Sequence, residues 1–133
     1  MEAAQRVLII DDDPAYVQST GLVLEAKGYE VDSASSGEEG LSKIRQQRPD
    51  LVLLDIMMDW VLDGVQVTRE MLRQKELLNI PIIIVSSIVD SEYRDMFPQD
   101  EYLHCDSWLD KPCPPDKLLG EMNRILSRYG RKE

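Results

Sequence analysis

The sequence predicts an α/β fold in which a doubly wound, five-stranded parallel sheet is covered by helices on both faces. Three short apolar runs, 7–10, 51–54 and 82–85, contain β-branched residues and lack polar alternation, as strands buried on both faces do. Segments with helical patterning lie between them, so strand and helix alternate along the chain. Each run is followed directly by an oxygen-bearing side chain, which gives the strand ends a shared chemistry.

Five predicted strands can be placed in order across the sheet. The second alternates polar and apolar residues and the fifth is short, so both are expected at the edges. Because crossovers between parallel strands are right-handed, the three doubly buried strands at the centre favour the order 2-1-3-4-5. The predicted strands are 6–10, 30–34, 51–55, 82–86 and a short one near 108–109.

Capping residues mark the ends of the predicted helices. Pro14 suits the first turn of a helix with Asp13 as its N-cap, and Gly28 stands where a C-cap glycine belongs. Ser36 and Glu39 have the spacing of a capping box. The predicted helices are 14–27, 37–47, 64–76, 91–96 and one beginning near 114–116. The last helix must turn one apolar stripe towards the sheet, made of Leu118, Met122, Ile125 and Tyr129.

Composition and charge limit the classes of function. A length of 133 residues predicts one domain over 1–133, with a core of about 6–128. The formal net charge of -10 opposes direct binding to nucleic acid. No apolar stretch or signal-peptide pattern predicts a membrane association. Cys105 and Cys113 make neither a disulfide framework nor a metal motif, so we expect a cytoplasmic protein.

The polar residues that follow the strands are expected to meet at one edge of the sheet. The carboxyl ends of parallel strands open into one crevice, which would bring together Asp11, Asp12, Asp55, Ser86 and Lys111. Mg²⁺ takes about six oxygen ligands and keeps several waters, so few carboxylates suffice to hold it. A lysine and a hydroxyl can stabilise charge on a transferring phosphoryl group. The residues therefore predict a site for a divalent cation and a phosphoryl group.

With these residues placed, the chain resembles a receiver domain of two-component response regulators, in the CheY-like superfamily. The resemblance runs over about 6–128 and implies a flavodoxin-like, three-layer sandwich. It implies that phosphorylation by a histidine kinase switches binding to a partner or output. The features that carry it are the acidic pair Asp11-Asp12, Asp55 after the third strand, Ser86 at the end of the fourth, and Lys111-Pro112.

The resemblance assigns a phosphoacceptor and a metal site. Asp55 matches the aspartate that accepts the phosphoryl group. Asp12 matches a direct Mg²⁺ ligand, and Asp11 matches a residue that acts through water. Asp55 itself and the backbone carbonyl of Met57 complete the implied Mg²⁺ site.

The resemblance also assigns a switch. Ser86 matches the switch hydroxyl, and Lys111 matches the lysine that stabilises the phosphoryl group. Trp108 stands where the family usually has a switch tyrosine or phenylalanine, but packing in the core is the stronger expectation, because a large aromatic side chain on an edge strand is usually buried. The residues that neighbour this site are Ser87, Ile88 and Pro112.

Several partners follow from the resemblance. The phosphoryl donor is implied to be a sensor histidine kinase or a histidine phosphotransfer protein. The receiver of the signal is implied to be a downstream protein or an output domain, and a phosphorylation-dependent homodimer through the fourth helix, fifth strand and fifth helix is also expected. The domain is expected to catalyse only its own phosphoryl transfer and dephosphorylation, and so not to be an enzyme in the usual sense.

Other functions remain open on the sequence alone. The chain could be a degenerate receiver that binds partners independently of phosphorylation, or a receiver fragment of a hybrid kinase. An aspartyl-phosphate phosphatase would need a second aspartate where Met57 stands. A flavodoxin-like electron carrier would need a phosphate-binding loop after the first strand, where Asp11, Asp12 and Asp13 would repel the phosphate.

Overall fold

Strands and helices alternate around one parallel sheet in the computed structural model, which describes residues 5–55, 70–71, 73–74, 79–86, 107–110 and 113–130. The strands are β1 (Arg6–Ile10), β2 (Glu30–Ala34), β3 (Leu51–Leu54), β4 (Ile82–Ser86) and β5 (Ser107–Asp110). The helices whose full bounds are described are α1 (Pro14–Ala26), α2 (Gly37–Gln46) and a C-terminal helix (Pro115–Gly130).

The strand order confirms the predicted topology. It is β2-β1-β3-β4-β5, with every neighbouring pair parallel. Ile10 of β1 stands in register with Ala34 of β2 and with Leu54 of β3. The two strands that flank β1 therefore end level with it, and the residues that follow β1 and β3 lie side by side.

The central strands supply the core, as their apolar runs predict. Every residue of 7–10 and 51–54 is buried, and so are residues 82–85. Alternate residues of these strands pack beneath α1 and the C-terminal helix. The C-terminal helix buries a stripe of apolar residues at helical spacing. Burial of this apolar surface holds the helix against the sheet. The buried members are Leu118, Met122, Ile125 and also Leu126, which was not predicted.

The caps of α1 are those that the sequence predicts. The Asp13 carboxylate accepts from the backbone N–H groups of Ala15 at 3.1 Å and Tyr16 at 3.4 Å, which satisfies donors that have no partner within the helix. Gly28 has φ 97°, a left-handed conformation that glycine adopts without steric cost. Local residues therefore mark both the start and the end of α1.

The start of α2 differs slightly from a capping box. Ser36 accepts from the backbone N–H of Glu39 at 3.1 Å, as predicted. The Glu39 carboxylate, however, accepts from the backbone N–H of Ser35 at 2.8 Å and from its hydroxyl at 3.1 Å. Two donors on Ser35 hold the carboxylate one residue earlier than a capping box would, and these hydrogen bonds lower the pKa of Glu39.

Two strand bounds differ from the prediction, and some predictions lie outside the described residues. The strand β3 ends at Leu54, one residue early, while β5 is longer because four of its residues pair with β4. In the predicted helix 64–76, residues 70, 71 and 73 are helical and Met71 is buried. The predicted helix 91–96 and the side chain of Tyr129 lie outside the described residues, and so do residues 56–63, for which the sequence predicts a loop.

None of the helices among the described residues combines the length and the apolar composition needed to cross a bilayer.

Candidate functional site

Backbone hydrogen bonds place Asp11 and Asp55 at the same edge of the sheet. The N–H of Asp55 donates to the carbonyl of Ile10 at 2.9 Å, across the junction of β3 and β1. The N–H of Asp11 donates to the carbonyl of Ala34 at 2.9 Å, across the junction of β1 and β2. The two aspartates thus follow adjacent central strands, and the sheet itself determines their separation.

A tight turn orients the first carboxylate. The backbone N–H of Asp13 donates to Oδ1 of Asp11 at 2.9 Å, which holds the Asp11 side chain against the start of α1. The side chain of Asp13 points to the helix instead, where it serves as the N-cap. The three consecutive aspartates therefore have different positions: Asp13 caps α1, while Asp11 and Asp12 lie beside Asp55 at the carboxyl ends of β1 and β3.

Three carboxylates meet at this edge. Asp11, Asp12 and Asp55 each place one oxygen within 4.8 Å of the others. Asp11 is 3% exposed and Asp55 is 5% exposed, while Asp12 is exposed to solvent. Like charges at this spacing repel, and burial weakens the screening by water. Such a cluster is suited to a cation that would neutralise it.

The donor set fits Mg²⁺. Oxygen ligands at about 2.1 Å from a six-coordinate ion lie roughly 3 to 4.2 Å from one another. The oxygens of Asp12 and Asp55, which the resemblance implies as direct ligands, lie within 4.8 Å of each other, so at most a small closure would bring them to that geometry. The donors are all oxygen, which suits a hard cation, and exposed Asp12 leaves the solvent side open for the waters that Mg²⁺ retains.

Tyr16, for which the sequence predicted no role, is influenced by two members of the cluster, Asp11 and Asp55. Burial raises the pKa of Tyr16 to about 12; a hydrogen bond with Thr20 opposes the rise, while the Asp11 carboxylate, the Cys113 thiol and the Asp55 carboxylate add to it. Tyr16 packs against the hydrophobic core. The helical spacing of Tyr16, Thr20 and Leu24, which packs on the sheet, is the signal that could have identified it.

A cleft opens beside the cluster on the side of β2. It has a volume of about 320 Å³ and is bounded by Asp11 and Asp12, by Val17 on α1 and by residues 33–35. The cleft gives solvent and small solutes a route to the exposed side of Asp12.

The remaining predicted site residues are described only in part. Ser86 is the last residue of β4, in register with Asp110 of β5, and Trp108 is in register with Ile84. The backbone of Ser86 therefore lies at the carboxyl end of the sheet and that of Trp108 lies near it. The side chains of both residues lie outside the described part of the chain. Five further predicted residues lie entirely outside the described part of the chain: Met57, Ser87, Ile88, Lys111 and Pro112.

Comparison with known proteins relates this architecture to one family. The family profile of the response regulator receiver domain matches residues 7–123. Protein PilH of Pseudomonas aeruginosa is 34% identical over 122 residues, which are 92% of this chain and 98% of PilH. The alkaline phosphatase synthesis transcriptional regulatory protein PhoP of Bacillus subtilis is 33% identical over 93% of this chain, but the match spans only 49% of PhoP.

Solved structures agree with the sequence relatives. A CheY-like response regulator receiver domain protein from Methanospirillum hungatei superposes with a TM-score of 0.83 and 28% identity, covering 98% of this chain and 99% of that one. The receiver domain of a signal transduction histidine kinase from Syntrophus aciditrophicus superposes with a TM-score of 0.84 and 29% identity, covering 98% of this chain and 96% of that one. The chain belongs to the response regulator receiver domain family of two-component systems.

Proposed function

We propose that Asp55 is the residue that accepts a phosphoryl group in this receiver domain. The observation that carries the proposal is the position of Asp55, which follows a central strand, is 5% exposed and has an oxygen within 4.8 Å of oxygens on Asp11 and Asp12. Asp13, the next carboxylate along the chain from this pair, caps α1. Asp55 therefore differs from Asp13 in being both buried and clustered.

The proposed reaction is a direct transfer. A carboxylate oxygen of Asp55 attacks the phosphorus of the donor, a new O–P bond forms, and the bond from phosphorus to the donor nitrogen or oxygen breaks. The electron pair of that bond leaves with the donor. Negative charge develops on the transferring oxygens, and Lys111 and the Ser86 hydroxyl are proposed to stabilise it.

The acidic cluster is proposed to hold Mg²⁺. Asp12 and Asp55 would bind it directly, Asp11 through water, and Met57 through its backbone carbonyl. When bound, Mg²⁺ supplies positive charge beside the transferring phosphoryl oxygens. The short distances among three carboxylates, two of them buried, support this proposal.

The wider role is proposed in the same way. The donor would be a histidine kinase or a histidine phosphotransfer protein in the cytoplasm. The phosphorylated chain, acting as one domain with a core of about 6–128, would bind a downstream protein or output domain, or pair with itself through the predicted fourth helix, β5 and the C-terminal helix. The chain would catalyse only its own phosphoryl transfer and dephosphorylation. The family match and the intact acidic cluster do not favour a degenerate receiver.

Intact mass spectrometry tests the assignment. The natural chain is incubated with acetyl phosphate, with and without Mg²⁺, and compared with Asp55→Asn and Asp13→Asn. We expect a gain of one phosphoryl group that needs Mg²⁺ and is lost in Asp55→Asn. Asp13→Asn is the matched control because asparagine caps a helix about as well as aspartate, so this variant should be phosphorylated normally.

Two outcomes would contradict the proposal. A stable mass gain in Asp55→Asn would assign the phosphoryl group to another residue. Uptake by the natural chain that is equal with Mg²⁺ and with a chelator would contradict the role of the metal.

A further inference from the structure

Asp13 lies between the acidic cluster and α1 and has hydrogen bonds to both. Its backbone N–H donates to Oδ1 of Asp11 at 2.9 Å. Its side-chain Oδ1 accepts from the backbone N–H groups of Ala15 at 3.1 Å and Tyr16 at 3.4 Å. Its carbonyl accepts from the N–H of Val17 at 3.1 Å, the first hydrogen bond along the helix. One residue therefore links the Asp11 carboxylate to the first turn of α1.

The hydrogen bond to Asp11 depends on the backbone conformation of Asp13. That conformation is extended, with φ -94° and ψ 103°, as an N-cap residue requires. The side chain of Asp13 holds it there by accepting from the helix, and Pro14 favours the same extended region in the residue before it. Alanine at position 13 would keep the N–H but lose the side-chain oxygen that fixes its direction.

The orientation of Asp11 matters because this carboxylate belongs to the cluster. Asp11 is buried and places an oxygen within 4.8 Å of oxygens on Asp12 and Asp55. With Oδ1 bound to the N–H of Asp13, rotation of the carboxylate is restricted before any cation arrives. Groups that are already ordered bind a ligand more tightly, because less ordering remains to be done on binding.

We propose that Asp13 is a positioning residue for the acidic site, which acts through its cap on α1 to hold its own N–H against Asp11 and so orient that carboxylate for Mg²⁺. The inference rests on the proposed Mg²⁺ site and gives Asp13 no contact with the metal. A plain helix cap would affect stability alone. A contribution of the Asp13 charge would be lost in any neutral variant, whether or not that variant caps the helix.

Two variants at position 13 separate these roles. Asp13→Ala and Asp13→Asn lose the same charge, but only asparagine keeps a capping oxygen. The control is Ser36→Ala, which removes the N-cap of α2, where the Ser36 hydroxyl accepts from the N–H of Glu39 at 3.1 Å. Calorimetric titration with Mg²⁺ measures the affinity of each unphosphorylated chain. Amide hydrogen exchange, corrected for intrinsic rates, measures protection of the N–H at position 13 without metal.

We expect Asp13→Ala to bind Mg²⁺ about three- to fivefold more weakly than Asp13→Asn, up to the effect of one N-cap. The loss is partial because Pro14 remains. Asp13→Asn should stay within about twofold of the natural chain, since the charge of the exposed Asp13 is screened. Ser36→Ala should lower the urea midpoint and leave Mg²⁺ affinity unchanged. The amide at position 13 should lose protection with alanine and keep it with asparagine.

Three results would overturn the proposal. They are equal Mg²⁺ affinities of the alanine and asparagine variants, an equal loss of affinity in Ser36→Ala, and equal protection of the amide at position 13 in both variants. If Asp13→Ala does not fold, Asp13→Gly replaces it, because glycine lacks the oxygen but costs less at an N-cap. A natural chain that binds no Mg²⁺ would contradict the proposed function, while the exchange comparison would still test the link between the cap and Asp11.

Discussion

The carboxyl ends of β1 and β3 and the outer edge of β2 both carry charged side chains, but they arrange charge in opposite ways. At the carboxyl ends of β1 and β3, three carboxylates lie together and two of them are buried. Along β2, each carboxylate is paired with a cation of another element: Glu30 with Arg6 of β1, and Asp32 with Lys43 of α2. Concentrated like charge lowers stability unless a ligand neutralises it, whereas paired surface charge is mildly stabilising.

The comparison shows which region is adapted for ligand binding. A protein retains unfavourable local features where function needs them and follows local rules elsewhere. The β2 edge and α2 follow the ordinary rules for capping, pairing and edge protection. The acidic cluster departs from them, which supports its assignment as the site.

The largest expected change in stability concerns the contact between Gly40 of α2 and Ile10 of β1. A Cβ at Gly40 of α2 would meet the side chain of Ile10 within 3.0 Å, and Ile10 is fully buried just before Asp11. Gly40→Ala should therefore lower the free energy of unfolding by about 1 to 3 kcal/mol. Urea denaturation measures it, with Gly120→Ala as the control.

The control should change stability in the other direction. A Cβ at Gly120 meets nothing within 4 Å, so alanine there should add up to about 1 kcal/mol through helix propensity. If Gly40→Ala is also stabilising, α2 does not approach Ile10 closely enough for an added methyl group to clash with it.

The next effect is stabilisation by Mg²⁺. A ligand that binds the folded chain at ten times its dissociation constant should raise the free energy of unfolding by about 1.4 kcal/mol. Asp12→Ala removes a proposed direct ligand and should abolish the gain. Thermal denaturation with Mg²⁺ and with a chelator measures both, and an equal gain in Asp12→Ala would show that Mg²⁺ binds elsewhere.

Neutralising one member of the cluster should stabilise the chain when Mg²⁺ is absent. Asp11→Asn retains an oxygen for the N–H of Asp13 while it removes one of three crowded charges. We expect a gain on the order of 1 kcal/mol in the free energy of unfolding. A loss in the same denaturation experiment would show that the like charges are not a cost to this fold.

The smallest effect is the pH dependence of the β2 edge. Burial raises the pKa of Asp32, but the N–H of Ser33 and the ammonium of Lys43 outweigh it and hold the pKa below its ordinary 3.8. A carboxyl with a lowered pKa stabilises the fold above its unfolded pKa, and the contribution disappears as the pH falls through the folded value.

Asp32→Asn should accordingly cost a few tenths of a kcal/mol at pH 7, since the pair is partly exposed, and should cost nothing at a pH well below 3.8. Urea denaturation at the two pH values measures the difference. A cost that is the same at both would show that the carboxylate charge contributes nothing at this edge.

The sequence predicted the features that depend on local patterns. The apolar runs identified β1, β3 and β4, and the alternation in β2 identified an edge strand. Caps at Asp13 and Gly28 were equally visible, because they require particular residue types at particular positions. The meeting of Asp11 and Asp55 followed from the rule that parallel strands end at one edge.

The features that could not be predicted depend on contacts between elements. Lys43 reaches the carbonyl of Ser33 because α2 packs on one particular part of β2, and no sequence pattern specifies that register. The proximity of Tyr16 to Cys113 likewise requires the start of α1 to lie beside the residues that precede the C-terminal helix. Such pairs are determined by packing angles and crossover lengths.

The central claim is that Asp55, among the three clustered carboxylates, receives the phosphoryl group. The most direct measurement locates that group after incubation of the natural chain with acetyl phosphate and Mg²⁺. Borohydride reduces an aspartyl phosphate, with release of phosphate, to homoserine, and peptide mass spectrometry then identifies the converted residue. The account predicts homoserine at position 55 alone, while conversion of Asp11 or Asp12 with Asp55 unchanged would contradict it.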